Sequence, residues 1–203
     1  MMMPKKIVLL GDSVFDNKPY VPAGKDVVSV LQTDRRVEVH SFAKDGSQVR
    51  DTQFQVGNIH LLPELPHAIV ISAGGNNFVP LLDFEGMDVS RTAFDAAMLE
   101  FQNHYSTLLS KFKFLKQEQG VRVLAFNVYN PFPQDFPMYD QVCSMLTEIN
   151  AKIQEICSRF GYELVDVHGA LSGDQTNFVD IIEPSAKASN LISKLILDRI
   201  FNN

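Results

Sequence analysis

Five short apolar runs, separated by stretches of helical periodicity, constrain this chain more than any other feature. They lie at residues 5–10, 37–42, 68–72, 121–126 and 163–167. Brief runs rich in Val, Ile and Leu read as strands buried on both faces. Residues 37–42 alternate instead, as a strand nearer a sheet edge does. Between the runs, residues 26–33 and 47–55 read as short helices. Residues 91–119 form the longest amphipathic stretch. There Phe94, Met98, Phe101, Tyr105, Leu108, Phe112 and Leu115 recur at alternating steps of four and three, until Gly120 stops the pattern. Such an aromatic stripe belongs in a core. Residues 141–160 put Met145, Ile149, Ile153 and Ile156 on one side and end at Gly161, and residues 185–200 follow Pro184. Strand and helix alternate throughout, so the natural architecture is a parallel sheet with helices on both faces. Periodicity alone does not give the strand order.

The 203 residues are 45% hydrophobic and 21% charged, enough for one sizeable core, and one domain over residues 1–203 is expected. A net charge of −6, with no more than two basic residues adjacent, argues against a nucleic-acid partner. The opening Met1-Met2-Met3-Pro4-Lys5-Lys6 leads into only four strongly apolar residues, too few for a secretory signal. No stretch approaches membrane-spanning length. The expectation is a cytoplasmic protein without a membrane span. Cys143 and Cys157 fall in one expected helix, where their separation is roughly 21 Å at about 1.5 Å per residue. They cannot bridge at that distance and read as small buried apolar side chains.

The first run closes with Gly11-Asp12-Ser13-Val14, which sets a hydroxyl at the carboxyl edge of a central strand, where open α/β sheets bind ligands. A serine nucleophile needs a base and donors for the oxyanion it creates. Three later segments carry candidate groups: Asp45-Gly46-Ser47, Gly74-Gly75-Asn76-Asn77, and Asp180-Ile181-Ile182-Glu183-Pro184-Ser185. Glycine lets a backbone amide approach a substrate oxygen closely, and an Asn amide is a neutral donor. Taken singly, each segment is also ordinary turn composition. Residues 127–138 combine Pro131, Pro133 and Pro137 with Tyr129, Phe132 and Phe136. This stiff, irregular loop either walls an acyl or aryl pocket or packs on the surface.

In this order, the four blocks resemble the SGNH branch of the GDSL esterase/lipase family over nearly the whole chain. The resemblance implies a three-layer α/β/α fold with a five-stranded parallel sheet of flavodoxin-like order 2-1-3-4-5. It implies Ser13 as nucleophile, with an oxyanion hole made by the Ser13 and Gly46 backbone amides and the Asn76 side chain. It also implies a small-molecule ester as substrate, and no cofactor or metal. Asp12, Asn77, Tyr129 and Phe132 are read as substrate-facing, Asn77 standing where the family usually has Asp. The loops at residues 14–24, 77–90 and 127–140 are expected to set the substrate.

The last block departs from the family. Where the family places Asp and His three residues apart, this chain has Asp180 and Glu183, in an Ile-Glu-Pro-Ser context that resembles a subgroup. His168 follows the fifth run and lies in a different block. A carboxylate of pKa ~4.3 is a poor base for a hydroxyl at neutral pH. Burial and the like charge of Asp180 raise a carboxyl's pKa and make Glu183 a better base. The same physics can leave Glu183 protonated and Ser13 inert. Asp12, Asp180 and Glu183 also permit a divalent cation, although their spacing does not require one. Two classes stay open: a serine ester hydrolase with Asp180 and Glu183 as catalytic partners of Ser13, or a ligand-binding or scaffold protein that retains the fold and pocket.

Overall fold

A computed structural model describes residues 3–85 and 88–202. Met1, Met2, Gly86, Met87 and Asn203, and with them parts of the N-terminal and 77–90 segments considered above, lie outside the described residues. Five parallel strands form one sheet: β1 (Lys5–Gly11), β2 (Val37–Ser41), β3 (Ala68–Ser72), β4 (Arg122–Phe126) and β5 (Glu163–Val165). Their order is β2-β1-β3-β4-β5, as the resemblance implied. The order reverses between β1 and β3, where Gly11 pairs with Ser72. The carboxyl edge at that point is the topological switch of the sheet.

Strand alternation assigns side chains to layers. Val8, Leu10, Ile69, Ile71, Val123 and Ala125 enter one core, and Ile7, Leu9, Ala68, Val70, Leu124 and Phe126 enter the other. The helices are α1 (Val27–Leu31), α2 (Val49–Gln55), α3 (Gly75–Phe78), α4 (Arg91–Ser110), α5 (Lys113–Gln119), α6 (Tyr139–Phe160), α7 (Val167–Leu171) and α8 (Ala186–Phe201). Residues of α2, α3, α4, α5 and α6 pack into the first core, and those of α1, α7 and α8 into the second. This completes the three layers. Among the described residues, no helix is long and apolar enough to cross a membrane.

Several elements differ from the sequence expectation. The stretch at residues 91–119 is two helices, α4 and α5. At the break, the amides of Lys111 and Phe112 donate to Leu108 and Leu109, three residues back, at 3.2 and 3.1 Å. Leu108, Leu109, Phe112 and Leu115 are buried on both sides of this tightened turn, so the apolar spacing runs through it without a signal. Residues 163–167 leave the sheet at Val165. Asp166 then caps α7, its side chain accepting from the Gly169 amide at 2.8 Å. The Gly-Gly-Asn-Asn segment is the start of a helix, α3. The last block holds a small antiparallel pair, β6 (Phe178–Val179) and β7 (Glu183–Pro184). Cys143 and Cys157 both lie on α6 as free thiols.

The end of β1 is closely packed against β3. Gly11 has φ 135°, and a Cβ there would lie 1.8 Å from the Ser72 carbonyl oxygen. Gln55 closes the opposite side. Its Oε1 accepts from the Gly11 amide at 2.7 Å, and its Nε2 donates to the Gly11 carbonyl at 2.8 Å. One buried side chain thus reaches both backbone polar groups of the last residue of β1, and the Lys44 amide shares the Gly11 carbonyl at 3.0 Å. Gly11→Ala is expected to prevent folding, with a loss above about 4 kcal/mol, read as loss of cooperative melting. Gln55→Leu, which strands the Gly11 amide, should destabilise by about 2 kcal/mol in denaturant titrations.

Candidate active site

The carboxyl edge between β1 and β3 gathers the chemistry. Just past Gly11, the Asp12 carboxylate accepts from the Val14 amide at 3.2 Å and the Ser72 hydroxyl at 3.0 Å. The amides of Phe15 and Asp16 donate to the Asp12 carbonyl at 3.2 and 3.1 Å. These bonds turn the chain sharply around Ser13, which is only 7% exposed and lines a pocket with Asp12. Burial raises the Asp12 pKa to about 7; the bonds from Val14 and Ser72 oppose this, and the charge of Glu183 adds to it.

Glu183 enters from β7 and is also 7% exposed. Burial pushes its pKa above the ordinary value. The nearby Ser13 hydroxyl works the other way, favouring the ionised form, and the charges of Asp45 and Asp180 raise the pKa further. Among the described residues, Glu183 Oε2 is buried and has no hydrogen-bond partner. Its backbone neighbours are gripped on both sides. Tyr129 donates its hydroxyl to the Ile182 carbonyl at 3.0 Å. Asn17 Nδ2 donates to the Pro184 carbonyl at 3.1 Å and to Ser189 Oγ at 2.8 Å, while Asn17 Oδ1 accepts from the Val27 amide at 3.0 Å. Asn17 is fully buried and lies on the same loop as Ser13. The turn leading into β7 holds Asp180 at φ 46° and Ile181 at φ 70°. Positive φ at a β-branched residue is strained, and this strain stands two residues before Glu183.

The second and third blocks are knitted together. Gly46 has φ 74° in an exposed turn closed by the Ser47 amide to the Lys44 carbonyl at 3.1 Å. Asn76 Nδ2 donates to the Ser47 carbonyl at 3.1 Å, and Gln48 Nε2 returns a bond to the Asn76 carbonyl at 3.1 Å. Asn77 Oδ1 accepts from the Val49 amide at 3.1 Å, tying α3 to the start of α2. Asp45 accepts from the Tyr20 hydroxyl at 2.6 Å.

Of the residues singled out in the sequence, Asp12, Ser13, Asn76, Tyr129, Phe132 and Glu183 line one pocket. Gly46, Asn77 and Asp180 lie outside its lining. Asn77 serves the α2 terminus. Asp180 is exposed and reaches Glu183 through its charge. His168 is engaged elsewhere: its Nδ1 lies 3.0 Å from the Val128 carbonyl, and its amide donates to Asn127 Oδ1 at 2.8 Å. Among the described residues, no group of three or more His, Cys, Asp or Glu side chains is arranged to hold a metal ion. Asn17 and Gln55 escape sequence reasoning. Their only signal is a polar residue at a position that proves buried, and burial is what the sequence withholds.

The raised Asp12 pKa has a consequence for stability. The folded protein holds this proton more tightly than the unfolded chain, so stability falls as pH rises from about 3.8 to about 7 and levels off above. The penalty at pH 8 is about 4 kcal/mol. Asp12→Asn keeps an acceptor for Val14 and Ser72, and it should flatten this part of the pH–stability curve in denaturant titrations between about pH 4 and 8.

Known proteins share this arrangement of strands and helices. A lipase from a goat rumen metagenome superposes with a TM-score of 0.76 at 19% identity, over 95% of this chain and 96% of that one. The psychrotrophic esterase EstA from Pseudoalteromonas gives a TM-score of 0.69 at 15% identity, over 98% and 100% of the two chains. In sequence, the spore germination lipase LipC of Bacillus licheniformis is 22% identical over 167 residues, 79% of this chain and 77% of that protein. The model of the GDSL-like lipase/acylhydrolase family matches residues 9–189, a span that includes all four blocks and supports hydrolysis of the esterase or lipase type. The chain belongs to the GDSL-like lipase/acylhydrolase family, within its SGNH-type fold.

Proposed function

We propose that the protein hydrolyses carboxylic esters, with Ser13 as nucleophile and Glu183 as its general base. The observation that carries this reading is that Ser13 and a buried Glu183 meet at the polar end of an otherwise apolar pocket, where the Ser13 hydroxyl favours the ionised form of the carboxylate. Glu183 takes the hydroxyl proton as Ser13 Oγ attacks the ester carbonyl. The oxyanion is met by the Ser13 backbone amide and by the Asn76 side chain, both of which line the pocket. One hydrogen of the Asn76 amide is committed to Ser47, which orients the group and leaves the second hydrogen for substrate. Collapse of the intermediate expels the alkoxide, which takes the proton from Glu183. Water then attacks the acyl-serine with Glu183 again as base, and Ser13 recovers its proton.

Burial supports this assignment. A carboxylate with a raised pKa is a stronger base and, once protonated, still a competent acid for the leaving group. Asp45 and Asp180 assist through charge, by favouring the protonated state that Glu183 passes through. The relatives named as lipases and esterases agree with the reaction class.

Ser13→Ala and Glu183→Gln are each expected to lower kcat on p-nitrophenyl esters by at least about 100-fold. Because the base works ionised and its pKa is raised, kcat/KM should rise with pH along an acid limb above the ordinary carboxylate range near ~4.3, and this limb should disappear in Glu183→Gln. A fluorophosphonate should label Ser13 in the parent protein. Unchanged turnover in Ser13→Ala would refute the assignment. Failure to label from about pH 5 to 9, together with no turnover, would favour a ligand-binding protein on the same fold.

A further inference from the structure

We infer that Asp16 is a positioning residue for the hydrolysis, holding the Asn76 amide on the oxyanion through the turn at residues 44–47. This rests on the Ser13 reading above. Asp16 stands just beyond Ser13 on the same turn. Its amide donates to the Asp12 carbonyl at 3.1 Å, so the turn that places the nucleophile also fixes Asp16. Its side chain serves the second block: Asp16 Oδ2 accepts from the Asp45 amide at 2.9 Å. Asp16 is not part of the pocket lining, and it acts only through other groups.

The turn at residues 44–47 needs an outside hold. Residues 42–48 join β2 to α2 without regular secondary structure. The turn closes on itself through the bond from the Ser47 amide to the Lys44 carbonyl. Two consecutive amides then tie it to the first block. That of Lys44 donates to the Gly11 carbonyl at 3.0 Å, and that of Asp45 donates to Asp16. Tyr20 holds the Asp45 carboxylate from the other side, its hydroxyl donating at 2.6 Å. Past the turn, the Ser47 carbonyl accepts one hydrogen of the Asn76 amide at 3.1 Å. A carboxamide is planar, so holding one N–H fixes the direction of the other. A series of contacts therefore runs from the turn of Ser13 through Asp16, Asp45 and Ser47 to the donor at Asn76. Such a donor acts most strongly where charge develops, in the transition state. Loss of Asp16 should thus appear in kcat and spare KM.

The test is steady-state kinetics on p-nitrophenyl butyrate. Asp16→Ala should lower kcat by about 10- to 100-fold, as a displacement near 1 Å does, with KM changed by less than about twofold. Asp16→Asn keeps an oxygen for the Asp45 amide and should return kcat to within about threefold of the parent. Asn76→Ala should cost at least about 100-fold, and adding Asp16→Ala to it should cost no more than about threefold further. The acid limb assigned to Glu183 should stay in place in Asp16→Ala, which separates this role from tuning of the base. Tyr20→Phe deletes one oxygen and loosens the same turn. It should lower kcat with the same dependence on Asn76, and it decides the matter if Asp16→Ala does not fold. Full additivity with Asn76→Ala, an equal loss in Asp16→Asn, or a displaced acid limb would overturn the inference while Ser13→Ala still abolished turnover. Turnover that survived Ser13→Ala, or no turnover of any ester by the parent, would instead remove the nucleophile assignment on which the inference rests.

Discussion

The structure depends on one crowded contact, the approach of Gly11 to the Ser72 carbonyl at the end of β1 and β3. A side chain there would sit inside the neighbouring strand's backbone. The absence of a Cβ lets the chain leave the sheet at the switch point instead of continuing β1. Gln55 then bonds both the amide and the carbonyl of Gly11, and the Lys44 amide shares the carbonyl. Because Gln55 ends α2 and also reaches Ser47 Oγ at 3.2 Å, the same amide sets the second block against the first. The position of Ser13 is thus a consequence of backbone sterics and one buried carboxamide. The hydroxyl itself does little to place it.

Glu183 is held by a different logic. An imidazole at this position would be steered through its own ring nitrogens. A carboxylate offers no donor, and here the backbone on either side is anchored instead, by Tyr129 at Ile182 and by Asn17 at Pro184. The strained Asp180–Ile181 turn completes the restraint. Orientation has moved from a side-chain partner to the peptide frame. This frees Asp180 to lie at the surface and to influence Glu183 through its field alone.

Much of this was legible in the sequence, and for identifiable reasons. The five strands and their parallel sense follow from short apolar runs, and the site's location follows from what stands at their ends. Strand order needed the family resemblance, because a buried parallel strand looks alike from either neighbour. The break at Lys111–Phe112 was invisible because the apolar spacing passes through it. The short β6–β7 pair was invisible because two residues carry no period. The inner face of α6 is the instructive case. Met145 and Ile149 have the spacing of core residues, and they are core residues; that the same face also borders a cavity is decided by the opposing Phe78 and Phe132, far away in sequence. Periodicity reports that a face is hidden from water. It does not report what lies against it.

Asn17 joins the loop of the nucleophile to residues 167 and 172 positions further along. Two of its partners are supplied by β7 and α8. The loop carrying Ser13 is therefore anchored only by contacts very distant in sequence, the kind that form late because long-range closure is slow. Local folding of the first strand and its loop leaves Asn17 without these partners, so the geometry around Ser13 and Glu183 is a property of the assembled fold and of no single segment.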